Sequence, residues 1–429
     1  MKILWLSPVP SKYDDNKFGY NGGGWIESLQ SLLENCTEID QLAIAFPHMS
    51  DSEKVNTGKV TYYPIRKAMP GNIISWIISN WKTKIEQDEE ISQLQLILND
   101  FEPDVIHIFG TESWFCHVIK MTNKPCIVHI QGLLLPCFNA YLPSGISKFD
   151  LLRNNWTETI KGISLWHDYQ MFDKKSKREY QFFKDISFFM GRTFWDKSIS
   201  RLLTANSKYF HINEVLRDKF YSASPWKFSN TNKTIITSTL SDALYKGLDF
   251  VIKTCILLAN ENFEFEWRII GVNNNSRSLK LLKRIFKSGY PSAYINLLGV
   301  KNTDEIIEYL HETTFFVHPS YIDNSPNSLC EAQIMGVPVI ATNVGGISSL
   351  IENGKNGYLV PVNDPYFLAS RIVQLSKDYN TLNDIATQAR TDAQKRHSKE
   401  DIQKQIISIY MNLANTNSEK VKGLVNALC

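Results

Sequence analysis

The segment from Phe315 to Asp364 constrains the fold of this chain more than any other stretch. It opens with a short apolar run, Phe315 to Val317, which is typical of a buried strand. A loop rich in Pro, Asn and Ser follows, then a helix predicted to end at Gly336, then a second strand from Val337 to Thr342. This order predicts a βαβ unit of an α/β protein, in which ligands bind at the carboxyl ends of the strands.

The predicted start of that helix suits an anion. Backbone N–H groups of Asn327, Ser328 and Leu329 should face a negatively charged group there. Asp323 and Glu331 bracket the site, and carboxylates repel phosphate but accept hydrogen bonds from hydroxyls, so a ligand with both a diphosphate and sugar hydroxyls fits. The alternative is structural: Ser328 and Glu331 have the spacing of a capping box, and Asp323 then only ends a turn.

The spacing of Asp323 and Glu331, with the segments EAQIMGVPVIAT, NVGG and ENGKNGYLV, resembles the signature of the retaining GT-B glycosyltransferases of family 4. In that family the first acid is usually Glu, so Asp323 is a shortened version. The resemblance is dense over this segment and weaker over most of the chain. It implies an α/β protein of GT-B fold, with two doubly wound, Rossmann-like domains facing a cleft and a C-terminal helix that crosses back to the first domain.

Composition sets limits that agree with such an enzyme. A length of 429 residues predicts two or three domains, and 46 basic against 44 acidic residues argue against a nucleic-acid partner. Seven cysteines without a CxxC motif predict reduced thiols in a cytosolic setting. We expect neither a metal site nor a cofactor, because histidines with metal-ligand spacing and a DxD triplet are absent from the sequence.

No apolar run approaches the roughly twenty residues of a membrane span, and the first ten residues indicate a buried strand rather than a signal peptide. We therefore expect a cytoplasmic protein.

Between Leu151 and Lys197, basic and aromatic residues alternate, and a stripe at helical spacing predicts a helix packed on a core: Tyr180, Phe183, Ile186 and Met190. The alternative is peripheral contact of this region with the inner membrane face, near a lipid-linked acceptor.

Strand and helix signals alternate through the first half of the chain, which predicts a mostly parallel sheet covered by helices. Gly23 and Gly24 lie in a turn between the first strand and the first helix, and resemble the family's GG loop across the cleft from the donor phosphates. A flexible turn is the alternative. We also predict one helical stretch from Ile73 to Phe101 and a short strand from Leu202 to Thr204.

Gln131 occupies the position where the family places a His beside the reacting sugar, and a Gln cannot act as a base. His129, two residues earlier, and His107 are more typical of buried strand histidines than of catalytic ones. Arg192 has two interpretations, because it could reach a donor phosphate or pair with Asp196 four residues later.

Lys246 and Gly247 stand where the family binds the diphosphate, directly before a predicted helix. A lysine at a helix start opposes the helix dipole unless an anion is present. The family's Arg shortly before this lysine is absent from Ile235 to Tyr245, so phosphate binding would depend on Lys246 and backbone amides, with Arg192 as a substitute. Val300 matches the turn that holds the nucleotide base through backbone atoms.

The predicted domains are residues 1–215, a linker at 216–233, a nucleotide-sugar-binding domain at 234–395, and a crossing helix with a polar tail at 396–429. The resemblance implies metal-independent transfer of a hexosyl group from a nucleotide diphosphate sugar to a glycan or lipid-linked hydroxyl, with retention, in bacterial surface polysaccharide synthesis. It assigns catalytic positions to Asp323, Lys246 and Gln131. The alternatives are a GT-B nucleotide-sugar epimerase and a non-catalytic nucleotide-sugar-binding protein.

Overall fold

The computed structural model describes residues 1–13, 24–49, 53–67, 72–82, 88–228 and 233–426, with side chains to residue 415. Contacts divide the chain into two compact units. Unit 1 comprises Met1–Leu135, Asp173–Val215 and His397–Cys429, and unit 2 comprises Pro136–Phe172 and Leu216–Arg396. The helices of both units, in chain order, are α1 (Gly24–Leu33), α2 (Ile73–Lys82), α3 (Asp88–Phe101), α4 (Leu134–Asn139), α5 (Lys148–Arg153), α6 (Trp156–Ile160), α7 (Leu165–Phe183), α8 (Phe194–Leu203), α9 (Asp218–Ser222), α10 (Leu248–Asn260), α11 (Arg277–Phe286), α12 (Thr303–His311), α13 (Asn327–Met335), α14 (Pro365–Leu375), α15 (Tyr379–Arg396) and α16 (Lys399–Asn426).

Unit 1 is built on a sheet whose described strands are β1 (Lys2–Leu6), β2 (Gln41–His48), β3 (Val55–Thr57), β4 (Val60–Arg66), β5 (Val105–Phe109), β6 (Cys126–His129), β7 (Phe188–Gly191) and β8 (Lys208–His211). They lie in the order β3-β4-β2-β1-β5-β6-β7-β8, and the pairs are parallel except β3 with β4. The direction of winding reverses between β1 and β5. That point, where the loops after two central strands diverge, is the switch point of unit 1.

Unit 2 is built on strands β9 (Thr234–Thr239), β10 (Phe265–Ile270), β11 (Ile295–Gly299), β12 (Phe315–His318), β13 (Val339–Thr342) and β14 (Tyr358–Val360). All pairs are parallel, and the order β11-β10-β9-β12-β13-β14 is that of a Rossmann sheet. Fully buried side chains such as Phe250, Trp267 and Phe315 fill its core. The switch point of unit 2 lies between β9 and β12, so the prediction of two doubly wound domains is confirmed.

One segment of the amino-terminal half packs with unit 2. Residues 136–172, which lie between β6 and β7 in sequence, bury Tyr141, Leu151 and Leu165 against Leu244 and Leu281 of unit 2. An ion pair of 2.6 Å between Asp168 and Arg277 adds a polar anchor. The contact division therefore differs from the predicted boundary of 1–215.

The segment predicted as a linker is packed. Its residues include helix α9, and Phe220 and Trp226 are buried in the core of unit 2. The Trp226 indole N–H donates to the Thr313 carbonyl at 2.7 Å, and its backbone N–H donates to Met335 at 2.8 Å. Aromatic anchoring of this kind outweighs the polar composition that predicted a linker.

The remaining element predictions are confirmed in outline, with three differences. The stretch from Ile73 to Phe101 forms two helices, α2 and α3, and residues 83–87 between them lie outside the described ones. No strand forms at Leu202–Thr204, because a capping box of Thr193 and Asp196 starts α8 and the helix continues to Leu203. Helix α16 continues to Asn426, through the predicted tail. Within the described ranges, no helix has the length and apolar character needed to cross a membrane.

Candidate functional site

Two loops meet at the switch point of unit 2, one after β9 and one after β12. Gly247 has φ +84°, and a Cβ atom there would collide with the Pro319 carbonyl oxygen. The Tyr321 backbone N–H donates to the Tyr245 carbonyl at 2.8 Å. Gly247 is therefore required both for its left-handed conformation and for the close approach of the two loops.

A third loop, after β13, closes on the same place. Gly345 has φ +52°, and a Cβ atom there would collide with the Asp323 carbonyl oxygen. The Gly346 backbone N–H donates to that oxygen at 3.0 Å. The NVGG segment thus fixes the backbone of Asp323, and the glycine pattern seen in the sequence has a steric cause.

The Lys246 ammonium and the Asp323 carboxylate form an ion pair of 2.7 Å. The ring N–H of His318 donates to the same carboxylate at 3.1 Å. Burial alone would raise the pKa of Asp323, but Lys246 and His318 outweigh it and hold that pKa well below its usual range. Burial likewise opposes the charge of Lys246, yet Asp323 raises the pKa of the ammonium above its ordinary value. Both groups are charged at neutral pH, and 23% of the Lys246 side chain stays exposed.

The start of α13 corrects the capping-box alternative. The cap residue is Pro326, and no side chain caps this helix end. Leu329 donates its backbone N–H to the Pro326 carbonyl at 3.1 Å. Among the described residues, the N–H groups of Asn327 and Ser328 donate no hydrogen bond. Two of the three predicted N–H groups are therefore open to an anion, four and five residues after Asp323.

Glu331 is held by Arg217, which the sequence interpretation missed. Two hydrogen bonds of 2.7 Å join the guanidinium to both carboxylate oxygens, and Arg217 also donates to the Thr303 hydroxyl at 3.1 Å. Burial raises the pKa of Glu331 above its ordinary value, although Arg217 lowers it. The two residues lie 114 positions apart, and no local pattern in the sequence signals the pair. The resemblance to family 4 assigns Glu331 to the ribose hydroxyls of the donor, and that role stays a prediction.

Val300 directly follows β11, and 66% of its side chain is exposed. It lies at the carboxyl edge of the unit 2 sheet, where the loops after β9 and β12 also begin. Its backbone contact with a base stays a prediction.

The corresponding edge of unit 1 carries two of the other predicted residues, Gly24 and Gln131. Gly23 lies outside the described residues, and Gly24 is the buried first residue of α1. Gln131 follows β6, and its side-chain N–H donates to the His129 carbonyl at 3.4 Å. Its catalytic position stays a prediction.

Arg192 is engaged within unit 1. Its guanidinium forms a buried ion pair with Glu214 and donates to the Gln131 carbonyl at 3.4 Å. Asp196 instead accepts the backbone N–H of Arg192 at 3.0 Å as part of the α8 cap. Arg192 therefore pairs with Glu214, a carboxylate that the spacing did not predict. A donor contact of Arg192 stays a prediction.

The sequence interpretation did not identify two carboxyl groups near the switch point of unit 1, Glu112 and Glu179. Glu112, in the loop after β5, accepts the Gly132 backbone N–H at 2.9 Å. Glu179, from α7, accepts the Leu135 N–H at 2.9 Å and the Thr111 hydroxyl. Burial raises the pKa of Glu112 to about 7, with a further contribution from Glu179, and burial also raises the pKa of Glu179. The available signal was a Glu three residues beyond a buried strand, in the sequence FGTE.

The histidines of β5 and β6 belong to a buried hydrogen-bonded chain. The indole N–H of Trp5 donates to the Tyr410 hydroxyl at 3.1 Å, and that hydroxyl lies 2.5 Å from His107 Nδ1. The other ring nitrogen of His107, Nε2, lies 3.2 Å from His129 Nδ1. Burial lowers the pKa of His107 to about 3 and that of His129 well below its usual value, so both rings are neutral. His129 Nε2 has no hydrogen-bond partner among the described residues.

The predicted stripe packs on a core but does not lie on one helix, because α7 ends at Phe183 and Met190 lies in β7. Phe183, Ile186 and Met190 are buried in unit 1, whereas Tyr180 is half exposed. Among the described residues, no group of three His, Cys, Asp or Glu side chains is placed to hold a metal ion.

Solved structures resemble this chain over nearly its whole length. Sucrose-phosphate synthase from Thermosynechococcus elongatus superposes with a TM-score of 0.73 at 14% identity, covering 97% of this chain and 99% of that one. Anabaena HepE in complex with UDP-glucose gives 0.65 at 14% identity, over 96% and 99%. WaaG, a glycosyltransferase involved in lipopolysaccharide biosynthesis, gives 0.61 at 12%, over 95% and 99%. These neighbours confirm the predicted GT-B fold.

Curated relatives match a smaller part of the chain. The putative colanic acid biosynthesis glycosyltransferase WcaL of Salmonella typhimurium is 31% identical over 175 residues, which is 39% of this chain and 42% of that protein. The amylovoran biosynthesis glycosyltransferase AmsK of Erwinia amylovora is 29% identical over the same extent. The chain thus matches about two fifths of the length of these relatives.

A family model matches about a third of the chain, the part that carries the ion pair. The matched residues contain the switch point of unit 2, including Lys246, Asp323 and the start of α13. Residues 232–378 match the family described as Glycosyl transferases group 1.

Proposed function

We propose that this chain is a glycosyltransferase that moves a sugar from a nucleotide diphosphate sugar to a hydroxyl group. Unit 2 binds the donor, and unit 1 binds the acceptor. The proposal extends to retention at the anomeric carbon, as in family 4, and to a metal-independent hexosyl transfer.

The observation that carries this proposal is the Lys246–Asp323 ion pair beside the uncapped start of α13. Asp323 lies four residues before Asn327, the first residue of that helix. A helix start with open N–H groups favours an anion, and an ammonium nearby adds a full positive charge. The ionised Asp323 carboxylate accepts hydrogen bonds from hydroxyls. The arrangement offers a diphosphate and a sugar the groups that each requires.

In the proposed reaction, Lys246 and the N–H groups of Asn327 and Ser328 stabilise charge that develops on the leaving phosphate. Lys246 has three N–H groups and donates one of them to Asp323, so two can donate to phosphate oxygens. Asp323 holds the donor sugar hydroxyls in position. The leaving phosphate takes the proton of the acceptor hydroxyl, so positioning and electrostatic stabilisation are the main contributions of the protein.

The acceptor is a glycan or a lipid-linked sugar, and the pathway is the synthesis of a bacterial surface polysaccharide. The names of the relatives support this: colanic acid and amylovoran are both polysaccharides. On the acceptor side, Glu112 and Gln131 offer carboxyl and amide groups at the carboxyl edge of the unit 1 sheet. Such groups suit hydrogen bonds to sugar hydroxyls.

A panel of nucleotide sugars tests the proposal. The purified chain is incubated with each donor, and release of free nucleotide is measured with and without added glycan. We expect slow release with one donor, and at least about a hundredfold slower release for Lys246→Met, because one preorganised charge contact contributes about 3 kcal/mol or more. Lys253→Met is the matched control, since Lys253 also pairs with an aspartate, Asp249, at 2.8 Å in the same unit.

Other outcomes contradict the proposal in distinct ways. An isomerised donor without nucleotide release would indicate an epimerase. Donor binding without any turnover would indicate a non-catalytic binding protein. Equal losses in Lys246→Met and Lys253→Met would mean that the ion pair only stabilises the fold.

A further inference from the structure

Helix α2 exposes its apolar residues. None of its ten residues is buried, and the exposed fractions are 72% for Ile73, 67% for Ile74, 48% for Ile78 and 50% for Trp81. Helices of soluble proteins normally turn such residues toward a core. An apolar surface of this kind marks a contact with another partner.

These residues form one stripe. Ile74, Ile78 and Trp81 are separated by four and three positions, so they lie on the same face of the helix. The next helix in the chain shows the usual arrangement, because α3 buries its own stripe in the core of unit 1: Leu94, Ile97, Leu98 and Phe101. The exposed stripe is therefore a property of α2 and not of this part of the fold.

The helix is formed by local interactions. Asn72 accepts the backbone N–H of Ser75 through its side chain at 2.8 Å and that of Trp76 through its carbonyl at 3.0 Å. The first turn is thereby capped by a residue next to it in the sequence. An amphipathic helix that is preformed pays less conformational entropy when its apolar face is buried.

Basic residues flank α2 directly, whereas the first turn of α3, six residues further on, is acidic: Asp88, Glu89 and Glu90. The sequence from Lys54 to Ile85 contains six Lys and Arg residues and no Asp or Glu. Arg66 and Lys67 before the helix and Lys82 at its end are exposed. The Lys174 ammonium donates to the Lys82 carbonyl at 2.6 Å, which brings the basic segment of α7 to the end of α2.

We propose that α2 is a membrane-docking helix that lies in the interface of an anionic lipid bilayer. Its isoleucines enter the acyl boundary, Trp81 sits at the headgroup level, and the lysines and Arg66 meet anionic headgroups. A second copy of this chain is a poorer partner, because the same basic surface would face itself. The inference is independent of the proposed function, although a bilayer would also supply a lipid-linked acceptor.

Vesicle binding by the full chain tests this surface. The protein is sedimented with vesicles of phosphatidylcholine alone or with about 30% phosphatidylglycerol. We expect binding to the anionic vesicles that weakens with added salt. The triple variant Ile74→Ser, Ile78→Ser, Trp81→Ser should need at least about tenfold more lipid for half-binding, since each lost side chain removes apolar burial.

Two control variants show whether the effect belongs to α2. Leu202→Ser and Tyr366→Ser remove apolar side chains that are 80% and 73% exposed elsewhere, and they should bind like the parent chain. A double variant, Lys67→Gln and Lys82→Gln, should weaken binding only to the anionic vesicles. An unchanged unfolding temperature of each variant shows that the fold is intact.

Three results would overturn the inference: no binding of the parent chain to anionic vesicles, equal binding by the triple variant, or a parent dimer that the triple variant converts to monomer. The last result would assign the surface to a second copy. Nucleotide release in the absence of lipid separates this test from that of the proposed function, because vesicle binding needs no donor and donor turnover needs no vesicle.

Discussion

The switch points of the two units have the same topology and opposite electrostatics. Each places a carboxyl group in the loop after the strand where winding reverses, Glu112 after β5 and Asp323 after β12. Asp323 pairs with Lys246, whereas Glu112 lies near a second carboxyl group, Glu179. Burial raises the pKa of Glu112 to about 7, and the charged partners of Asp323 reverse the effect of burial there.

This difference teaches that the fold fixes where a carboxyl group stands and its neighbours fix its charge. The carboxyl edge of a doubly wound sheet is a ligand site in either unit. In unit 2 the carboxylate is ionised and suits the hydroxyls of a charged ligand. In unit 1 burial raises the pKa of the carboxyl group to about 7, which under the proposed function suits the hydroxyls of a neutral acceptor.

Each unit contains an Arg–Glu pair, Arg192–Glu214 in unit 1 and Arg217–Glu331 in unit 2. The first pair is buried, and in the second 14% of the Arg217 side chain is exposed. Loss of one partner leaves an uncompensated buried charge, so we expect Glu331→Gln to lower the free energy of unfolding by about 3 to 5 kcal/mol. The matched variant Glu214→Gln should cost a similar amount. Native-state hydrogen exchange of the strands reports each unit separately.

Donor binding separates the two pairs. Under the proposed function, Glu331→Gln weakens donor binding measured by calorimetry, while Glu214→Gln leaves it unchanged. Equal donor affinity in both variants would give Glu331 a purely structural role. Unchanged unfolding of both would mean that neither pair stabilises its unit.

The second prediction compares glycines at the two switch points. Gly345→Ala forces a Cβ atom against the Asp323 carbonyl oxygen, and this backbone atom cannot move away easily. We therefore expect the unfolding free energy to fall by about 3 kcal/mol or more. Gly110→Ala meets only the flexible Glu112 side chain and should cost less, about 1 to 2 kcal/mol. Denaturant titration measures both.

Gly354→Ala is the control for backbone conformation. Gly354 has φ +79° and nothing within 4 Å of an added Cβ atom, so only the left-handed conformation is penalised, by about 1 kcal/mol. If Gly345→Ala costs no more than Gly354→Ala, the loops of unit 2 are less tightly interlocked than the contacts indicate.

The third prediction concerns pH. The pKa of Glu112 is raised above its ordinary value of 4.5 in the folded chain, so its contribution to stability is complete below about pH 4.5 and is lost as the pH rises through 7. Glu112→Gln removes that loss. We expect this variant to be more stable than the parent by about 2 kcal/mol at pH 8 and equal to it at pH 4.

Unfolding titrations across this pH range test the prediction. Glu352→Gln, at an exposed carboxylate paired with Lys355, is the control for a Glu→Gln substitution as such. A difference between Glu112→Gln and the parent that stays constant from pH 4 to pH 8 would contradict the raised pKa and remove the contrast with Asp323.

Much of the fold followed from hydrophobic pattern and glycine position. Apolar runs predicted β12 and β13 to within two residues of their observed bounds, because buried parallel strands must be apolar on both faces. Gly336 was expected at the end of α13, and it adopts the left-handed conformation there with φ +83°. Lys246 and Gly247 were assigned by the resemblance to family 4, and Asp323 by its place in the loop before α13. The structure brings all three to one switch point.

Tertiary structure alone decided the partners of those residues. The sequence by itself determined two α/β units, the order of their elements and the candidate phosphate site, since periodicity and turn chemistry act over a few neighbouring residues. It could not determine that Arg217 pairs with Glu331, that residues 136–172 pack with unit 2, or that the α2 stripe is exposed. The partner of a side chain and its burial depend on which distant segments of the chain pack together. A pattern of neighbouring residues does not contain that information.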